Sequence, residues 1–450
     1  MLIKAHYVLP VSAPYLENGA VVVRDDKIVA VGAASELEQD YPEEPVYDYG
    51  LAALIPGFVD AHTHLENTAL RGIVDDVPYA QWKSEVMAHE TAFSARDWED
   101  SAHLGALEAL ASGITTIADI TETGASGRAA QEAGLRGIIY REVKGMEHPQ
   151  LDAVMDAALA DIADWESTFD PTRLEVGIAP HSPYACHPQL FGAVRDYAAD
   201  GRPVAMHLAG SHEEYQFVKY GSSMLGFDVR EQYDAQAPLW LPTGVSPVRY
   251  VDQWQIFSVP RFMAIHCTQV DEEDIDILAR ANVSIAHCPR CNAKLGMGTA
   301  PVDEFLEAGL IIGLGTDSPA ATNTMGMFAE MSSGLLIQRS QSTRARSRFF
   351  SAHQYLQFAT LDGARALGLD DRIGSLEPGK LADLVVVDLT HSAQVPTREP
   401  ESALVHTSHR SDIVLVMVGG KALYVNGDWT EQDGGSVKAQ VEAIRDKLRA

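Results

Sequence analysis

Two histidines one residue apart, His62 and His64, follow the apolar run 54–59, which is broken only by Pro56 and Gly57. On an extended strand, residues two apart share a face, so both imidazoles can be presented to one cation at the strand end. A His-x-His triplet alone is weak evidence, because two surface histidines read the same way. Downstream, however, apolar strand-like runs repeatedly end in the same kind of residue: Pro180-His181-Ser182, His207, His266-Cys267, His287-Cys288 and Gly315-Thr316-Asp317. Any one of these could be a packed core histidine. Together they are not a scatter, since 16 histidines placed at random would not choose one edge. Three neutral imidazoles and one carboxylate suit Zn²⁺ with a position left open for water. Water bound there loses a proton near neutral pH and becomes a nucleophile. An aspartate beside the metal can orient that water and take its proton. A neighbouring imidazole, His266, can polarise the electrophile or hold the water. The chemistry predicted is hydrolytic attack on an sp² carbon.

Residues 54–374 must position these groups, and they alternate strand and helix signals. Strands are predicted at 54–59, 115–119, 135–143, 174–179, 203–207, 262–266, 283–287 and 311–315, with helical patterns between most of them, as at 97–111, 149–168 and 188–199. Eight strands alternating with helices predict an α/β fold, a (β/α)8 barrel, whose chemistry sits at the C-terminal strand ends. The main insertion, 208–258, is rich in aromatics (Tyr215, Phe217, Tyr220, Phe227, Tyr233, Trp240, Tyr250, Trp254) and is expected to cover the site or form a subunit contact. Residues 1–53 and 375–450 are β-rich. A hairpin is predicted from 19–24 and 27–32 about Asp25-Asp26, and β-branched runs at 382–388 and 413–418 precede a Gly419-Gly420 turn into 422–425. Both ends are therefore expected to build one small β-domain. Val437, Val441, Ile444 and Leu448 recur at helical spacing, predicting a terminal helix.

The composition narrows the function. At 450 residues, 46% hydrophobic and 22% charged, the chain reads as a soluble globular protein of one large domain or two. A formal net charge of -29 argues against a nucleic-acid or anionic-membrane partner and leaves a small molecule as the expected one. No apolar run reaches the roughly 18 residues of a membrane span, and the first residues carry no secretory pattern. Four cysteines make no disulfide framework, and the single Cys288-Pro289-Arg290-Cys291 spacing lacks a second pair of zinc ligands. Reduced thiols and a cytoplasmic setting are expected.

The motifs resemble the amidohydrolase superfamily. More narrowly, they resemble its branch of S-adenosylhomocysteine/methylthioadenosine deaminases, aminodeoxyfutalosine deaminases, guanine deaminases and triazine hydrolases. The resemblance rests on the stretch from Pro56 to His64 with Leu70-Arg71-Gly72, on Pro180-His181-Ser182-Pro183-Tyr184, and on His266-Cys267. It extends through the stretch from His287 to Gly296 and Gly315-Thr316-Asp317-Ser318 to the closing stretch from Gly374 to Val385. It implies a barrel joined to a small β-sandwich domain built from 1–53 and 375–450, and one divalent metal, Zn²⁺ or Fe²⁺, held by His62, His64, His207 and Asp317. Asp317 would also shuttle the water proton, and His266 would contact that water or the reacting group. His181, Glu90 and Asn292 would contact substrate, Glu90 as a ribose-binding glutamate, and Lys294 would lie with Asn292 in the loop after strand seven. The implied reaction is loss of ammonia from an aminated purine or purine nucleoside by attack of metal-bound hydroxide. Related alternatives are hydrolysis of a triazine or pterin substituent or a cyclic amide, and a different one is a ligand-binding protein without catalysis. Dimers and tetramers are common in the family, so a homo-oligomer is compatible with it. One departure stands out. The branch usually reads His-x-x-Glu after strand five, and that glutamate protonates the leaving group. Here the run is His207-Leu208-Ala209-Gly210-Ser211-His212-Glu213-Glu214, with Gly210 at its place. Glu213, Glu214 or His212 in a rearranged loop, or Glu142 from strand three, are the candidates to serve instead.

Overall fold

In the computed structural model, which describes residues 1–147, 150–223, 225, 241–341 and 348–448, eight parallel strands follow one another in chain order. They are β1 (Phe58–Thr63), β2 (Ile114–Thr121), β3 (Arg136–Val143), β4 (Leu174–Pro180), β5 (Val204–Leu208), β6 (Phe262–His266), β7 (Ser284–His287) and β8 (Ile312–Leu314). β1 and β2 are buried along their whole length, as strands covered on both faces must be. The last strand returns to the first. Thr63 and Asp317 form a parallel bridge, and Asp317 N donates to His62 O at 2.8 Å. The ring is thereby nearly closed, and its C-terminal rim brings β1 next to the residues that follow β8.

A separate nine-stranded mixed sheet draws on both chain ends. Its N-terminal hairpin pairs Leu16–Arg24 with Lys27–Ala33, turning through Asp25 at φ 51°. Its two contributions meet where Ala52–Pro56 runs antiparallel to Leu384–Asp388, with Leu54 opposite Val386. The run 54–59, expected as one strand, is therefore two strands in two sheets. Gly57 is the joint: a Cβ there would lie 2.1 Å from Thr115 Oγ1, and its N–H donates to Asp383 O at 2.9 Å. Asp383 also takes the guanidinium of Arg136, the first residue of β3, at 2.8 Å, so one buried ion pair ties barrel to terminal sheet.

Most other expectations differ from the structure only at element ends. The predicted 188–199 helix is Pro188–Tyr197, and the 149–168 helix is Leu151–Thr168, with Pro149 outside the described residues. β8 is shorter than predicted because Gly315 already presses on β1, where a Cβ would meet His62 N at 3.0 Å. The terminal helix, Gly434–Leu448, is tied to the helix Ala95–Ala111 by Lys447 Nζ donating to Asp97 at 2.6 Å. Within 208–258, Phe227, Tyr233 and Trp240 lie outside the described residues. The described part includes the helix His212–Tyr220, whose Phe217 packs with Leu225 against Tyr184 beside the barrel rim. Among the described residues no helix is long and apolar enough to cross a membrane.

Candidate active site

The C-terminal ends of β1, β4, β5 and β6 and the turn after β8 open into one cavity of about 430 Å³. His64, His181, His207, His266 and Asp317 line its floor side, and the helix Tyr79–Glu90 walls it with Tyr79, Trp82, Lys83 and Glu90. The His62 ring lies 4.8 Å from that of His64 and 5.0 Å from that of His207. Its Nε2 is 3.5 Å from Asp317 Oδ1. Donor atoms of His62, His64 and Asp317 lie within 4.8 Å of one another, as do those of His62, His207 and His266. His64 Nδ1 sits 3.0 Å from Ile120 O and His207 Nδ1 2.9 Å from His181 O. A carbonyl can only accept, so both Nδ1 atoms carry the proton and both Nε2 lone pairs are left to a cation.

The arrangement fits a divalent ion. His62 is fully buried, and neither ring nitrogen has a hydrogen-bond partner among the described residues. Leaving such atoms unsatisfied costs free energy that a bound cation would remove. Burial drives the His62 imidazole down to about 4, so it is neutral, the form that ligates. Burial opposes ionisation of Asp317, but the approach of His62 at 3.5 Å and the surrounding imidazoles hold it well below the usual carboxylate range. Asp317 (φ 60°) and His266 (φ 75°) hold left-handed backbone conformations, which L residues rarely adopt outside constrained sites. Asp60 holds this geometry from below, accepting from Thr316 N at 2.9 Å, Thr316 Oγ1 at 2.5 Å and His62 N at 3.3 Å. Sequence reasoning left Asp60 unassigned, although it lies two residues before His62 and so shares its face.

The other expected residues divide. His181 is in the cavity wall, with Nδ1 2.5 Å from Glu142 Oε1 and Nε2 2.9 Å from Lys83 Nζ. Glu142, one of the alternatives for the missing acid, thus reaches the site from β3 and is committed to His181. Glu90 lines the cavity, and burial pushes its carboxyl up. Asn292 lies behind His266 rather than in the cavity lining, its Oδ1 3.0 Å from His266 Nδ1, so it orients that ring. Lys294 is engaged outside, with Asp75 at 2.5 Å and Asn323 at 3.0 Å. Glu213 is not in the lining either; the helix His212–Tyr220 turns Glu214 inward instead. Glu214 accepts from Ala209 N at 2.9 Å and Gly210 N at 2.8 Å, and burial raises it to about 7. At Gly210 itself a Cβ would meet His266 Cδ2 at 3.1 Å and Met297 Cε at 3.2 Å. His287 is buried outside the lining, and all four cysteines are free and buried.

Lys83 was missed in the sequence, as were Tyr79 and its partner Tyr184, whose hydroxyls are 2.9 Å apart. The signal was present: Tyr79, Lys83 and Glu90 stand four and seven residues apart, which places them on one helical face.

A barrel of eight parallel strands with a histidine-aspartate cluster at its C-terminal rim is the architecture of a metal-dependent hydrolase. The amidohydrolase family model matches residues 53–423, and the chain belongs to that family. An imidazolonepropionase-like composite domain of bacteria matches 19–43. The 5-methylthioadenosine/S-adenosylhomocysteine deaminase of Moorella thermoacetica is 33% identical over 444 residues, covering 98% of each chain. The crystal structure of an adenosine deaminase from Xanthomonas campestris with bound zinc superposes with a TM-score of 0.86 at 29% identity, covering 100% of this chain and 98% of that one. An atrazine chlorohydrolase from Arthrobacter aurescens shares the fold, with a TM-score of 0.84 at 24% identity over 98% of this chain and 99% of its own.

Proposed function

We propose that the protein is a metal-dependent aminohydrolase that releases ammonia from an amine-bearing purine or purine nucleoside. The observation that carries the reading is the buried His62, whose nitrogens have no hydrogen-bond partner among the described residues, ringed by His64, His207 and Asp317 at the floor of a cavity. Those four residues would hold the ion, and zinc is supported by the zinc-bound Xanthomonas deaminase; imidazole and carboxylate donors accept iron as well. A bound ion there supplies the Lewis acidity that makes water nucleophilic near neutral pH. Asp317 Oδ1 accepts from Ser318 N at 2.6 Å, leaving Oδ2 to take the proton of the attacking water. His266, fixed at Nδ1 by Asn292, turns Nε2 to the reacting group. Tyr79, Trp82 and Tyr184 offer aromatic faces for a planar heterocycle, and Glu90 a carboxyl for a hydroxyl or ring N–H. The deaminase name of the Moorella relative supports the purine nucleoside class. Four free cysteines support a reducing, cytoplasmic setting.

A ligand-binding protein without catalysis is the second reading, favoured by Gly210 alone. Ammonia release from adenosine, methylthioadenosine, S-adenosylhomocysteine, guanine, pterin and an aminotriazine separates the two. The enzyme reading expects turnover of at least one purine compound. Tight binding of one with no ammonia from any would favour the binder.

A further inference from the structure

Lys83 faces the cavity where Gly210 leaves no side chain to give up a proton. A carbon that has accepted water and still carries an amine cannot expel that nitrogen as an amide anion; the nitrogen must be protonated as the C–N bond breaks. Gly210 has no side chain to do this, Glu214 is held by two backbone N–H groups, and Glu142 is held by His181. Asp317 is occupied with the water. The Lys83 ammonium faces the same cavity from the helix Tyr79–Glu90, and its charge is felt by Glu214 behind Gly210. Among the described residues the one side-chain hydrogen bond of Lys83 goes to His181 Nε2 at 2.9 Å. Because His181 Nδ1 donates to Glu142, Nε2 is the acceptor and Lys83 the donor. Among the described residues Lys83 has no carboxylate partner, so two of its three N–H bonds are left to the cavity. The Tyr184 ring lies 5.8 Å from Nζ.

We propose that Lys83, held by His181 and Glu142, protonates the departing nitrogen. The inference rests on the aminohydrolase reading. In the step, the C–N electron pair goes to nitrogen, which takes a proton from Nζ and leaves as ammonia. The proton released as the carbon's hydroxyl becomes a carbonyl returns to the Nζ amine, and the proton Asp317 took from the water passes to the ring nitrogen beside that carbon, so lysine and aspartate both end as they began and the balance is amine plus water to carbonyl plus ammonia.

A chloride leaving group needs no proton, and this gives the test. Adenosine, or whichever amine the screen shows to be turned over, is compared with its 6-chloro counterpart in wild type, Lys83→Met and Lys83→Arg, with metal content and melting temperature measured on each. Lys83→Met is expected to lower kcat for the amine by about 10²- to 10⁴-fold and to leave the chloro compound close to wild type. Lys83→Arg keeps the charge and fold but is too weak an acid to donate, so it should recover KM and not kcat. Equal losses on both compounds, or an unchanged kcat for the amine, would overturn the assignment. If wild type itself releases ammonia from no amine, the aminohydrolase reading fails first and this one falls with it.

Discussion

Gly210→Glu introduces the carboxylate that the resemblance leads one to expect after β5, and the structure predicts that it harms rather than helps. The first added atom is already tight, with His266 Cδ2 at 3.1 Å and Met297 Cε at 3.2 Å, so one neighbour must give by a few tenths of an ångström. The methionine methyl can swing aside. The imidazole cannot, without breaking its 3.0 Å bond to Asn292. The rest of the side chain must then compete with Glu214, which already holds the Gly210 N–H. Overpacking of this kind costs about 1–3 kcal/mol, and displacement of His266 by even part of an ångström should lower kcat by about tenfold or more, given that about 1 Å can cost 10²-fold. Thermal melts and ammonia-release kinetics of Gly210→Ala and Gly210→Glu check this. The alanine should show a smaller loss of stability than the glutamate, and neither should gain activity. A Gly210→Glu protein that melts like wild type and turns over several-fold faster would refute both the packing argument and the role given to Lys83.

Other consequences follow from buried charge. Arg136→Met strands the Asp383 carboxylate, 2% exposed, between the barrel and the terminal sheet; urea unfolding should show a loss of about 3–5 kcal/mol, largely recovered when Asp383→Leu is added. A single mutant as stable as wild type would mean that the pair does not join the two sheets. Glu214, raised by burial from 4.5 to about 7, stays protonated in the fold while the unfolded chain ionises. Its contribution is therefore undiminished below pH ~4.5 and is lost as pH rises through ~7, by about 3 kcal/mol at 1.36 kcal/mol per unit. Wild type should lose stability relative to Glu214→Gln between about pH 4.5 and 7; parallel profiles would show that Glu214 is ionised in the fold.

The barrel was legible because parallel strands buried on both faces must be apolar runs, and Phe262–Ile265 shows it in four consecutive residues before His266. The cluster was legible because rim residues fall at the ends of those runs. The break at Gly57 was not, since Leu54 and Phe58 are equally apolar and only Thr115, far along the chain, demands a residue without a side chain. The resemblance puts Asn292 at the substrate, but its contact with His266 is a tertiary fact that spacing does not contain. Glu213 and Glu214 are adjacent and chemically alike; helix phase, fixed by the Ser211 cap on Glu214 N at 3.1 Å, decides which one turns inward. Lys83 was hidden for the opposite reason, because a lysine on a helix is ordinarily a solvated one.

Release of ammonia at a metal held by His62, His64, His207 and Asp317 can be checked by following ammonia from the responding purine compound with one preparation before chelation, after it, and after zinc is restored. Turnover should disappear with the ion, return with it, and be absent in His207→Ala whatever is added. Full activity in metal-free protein would contradict it.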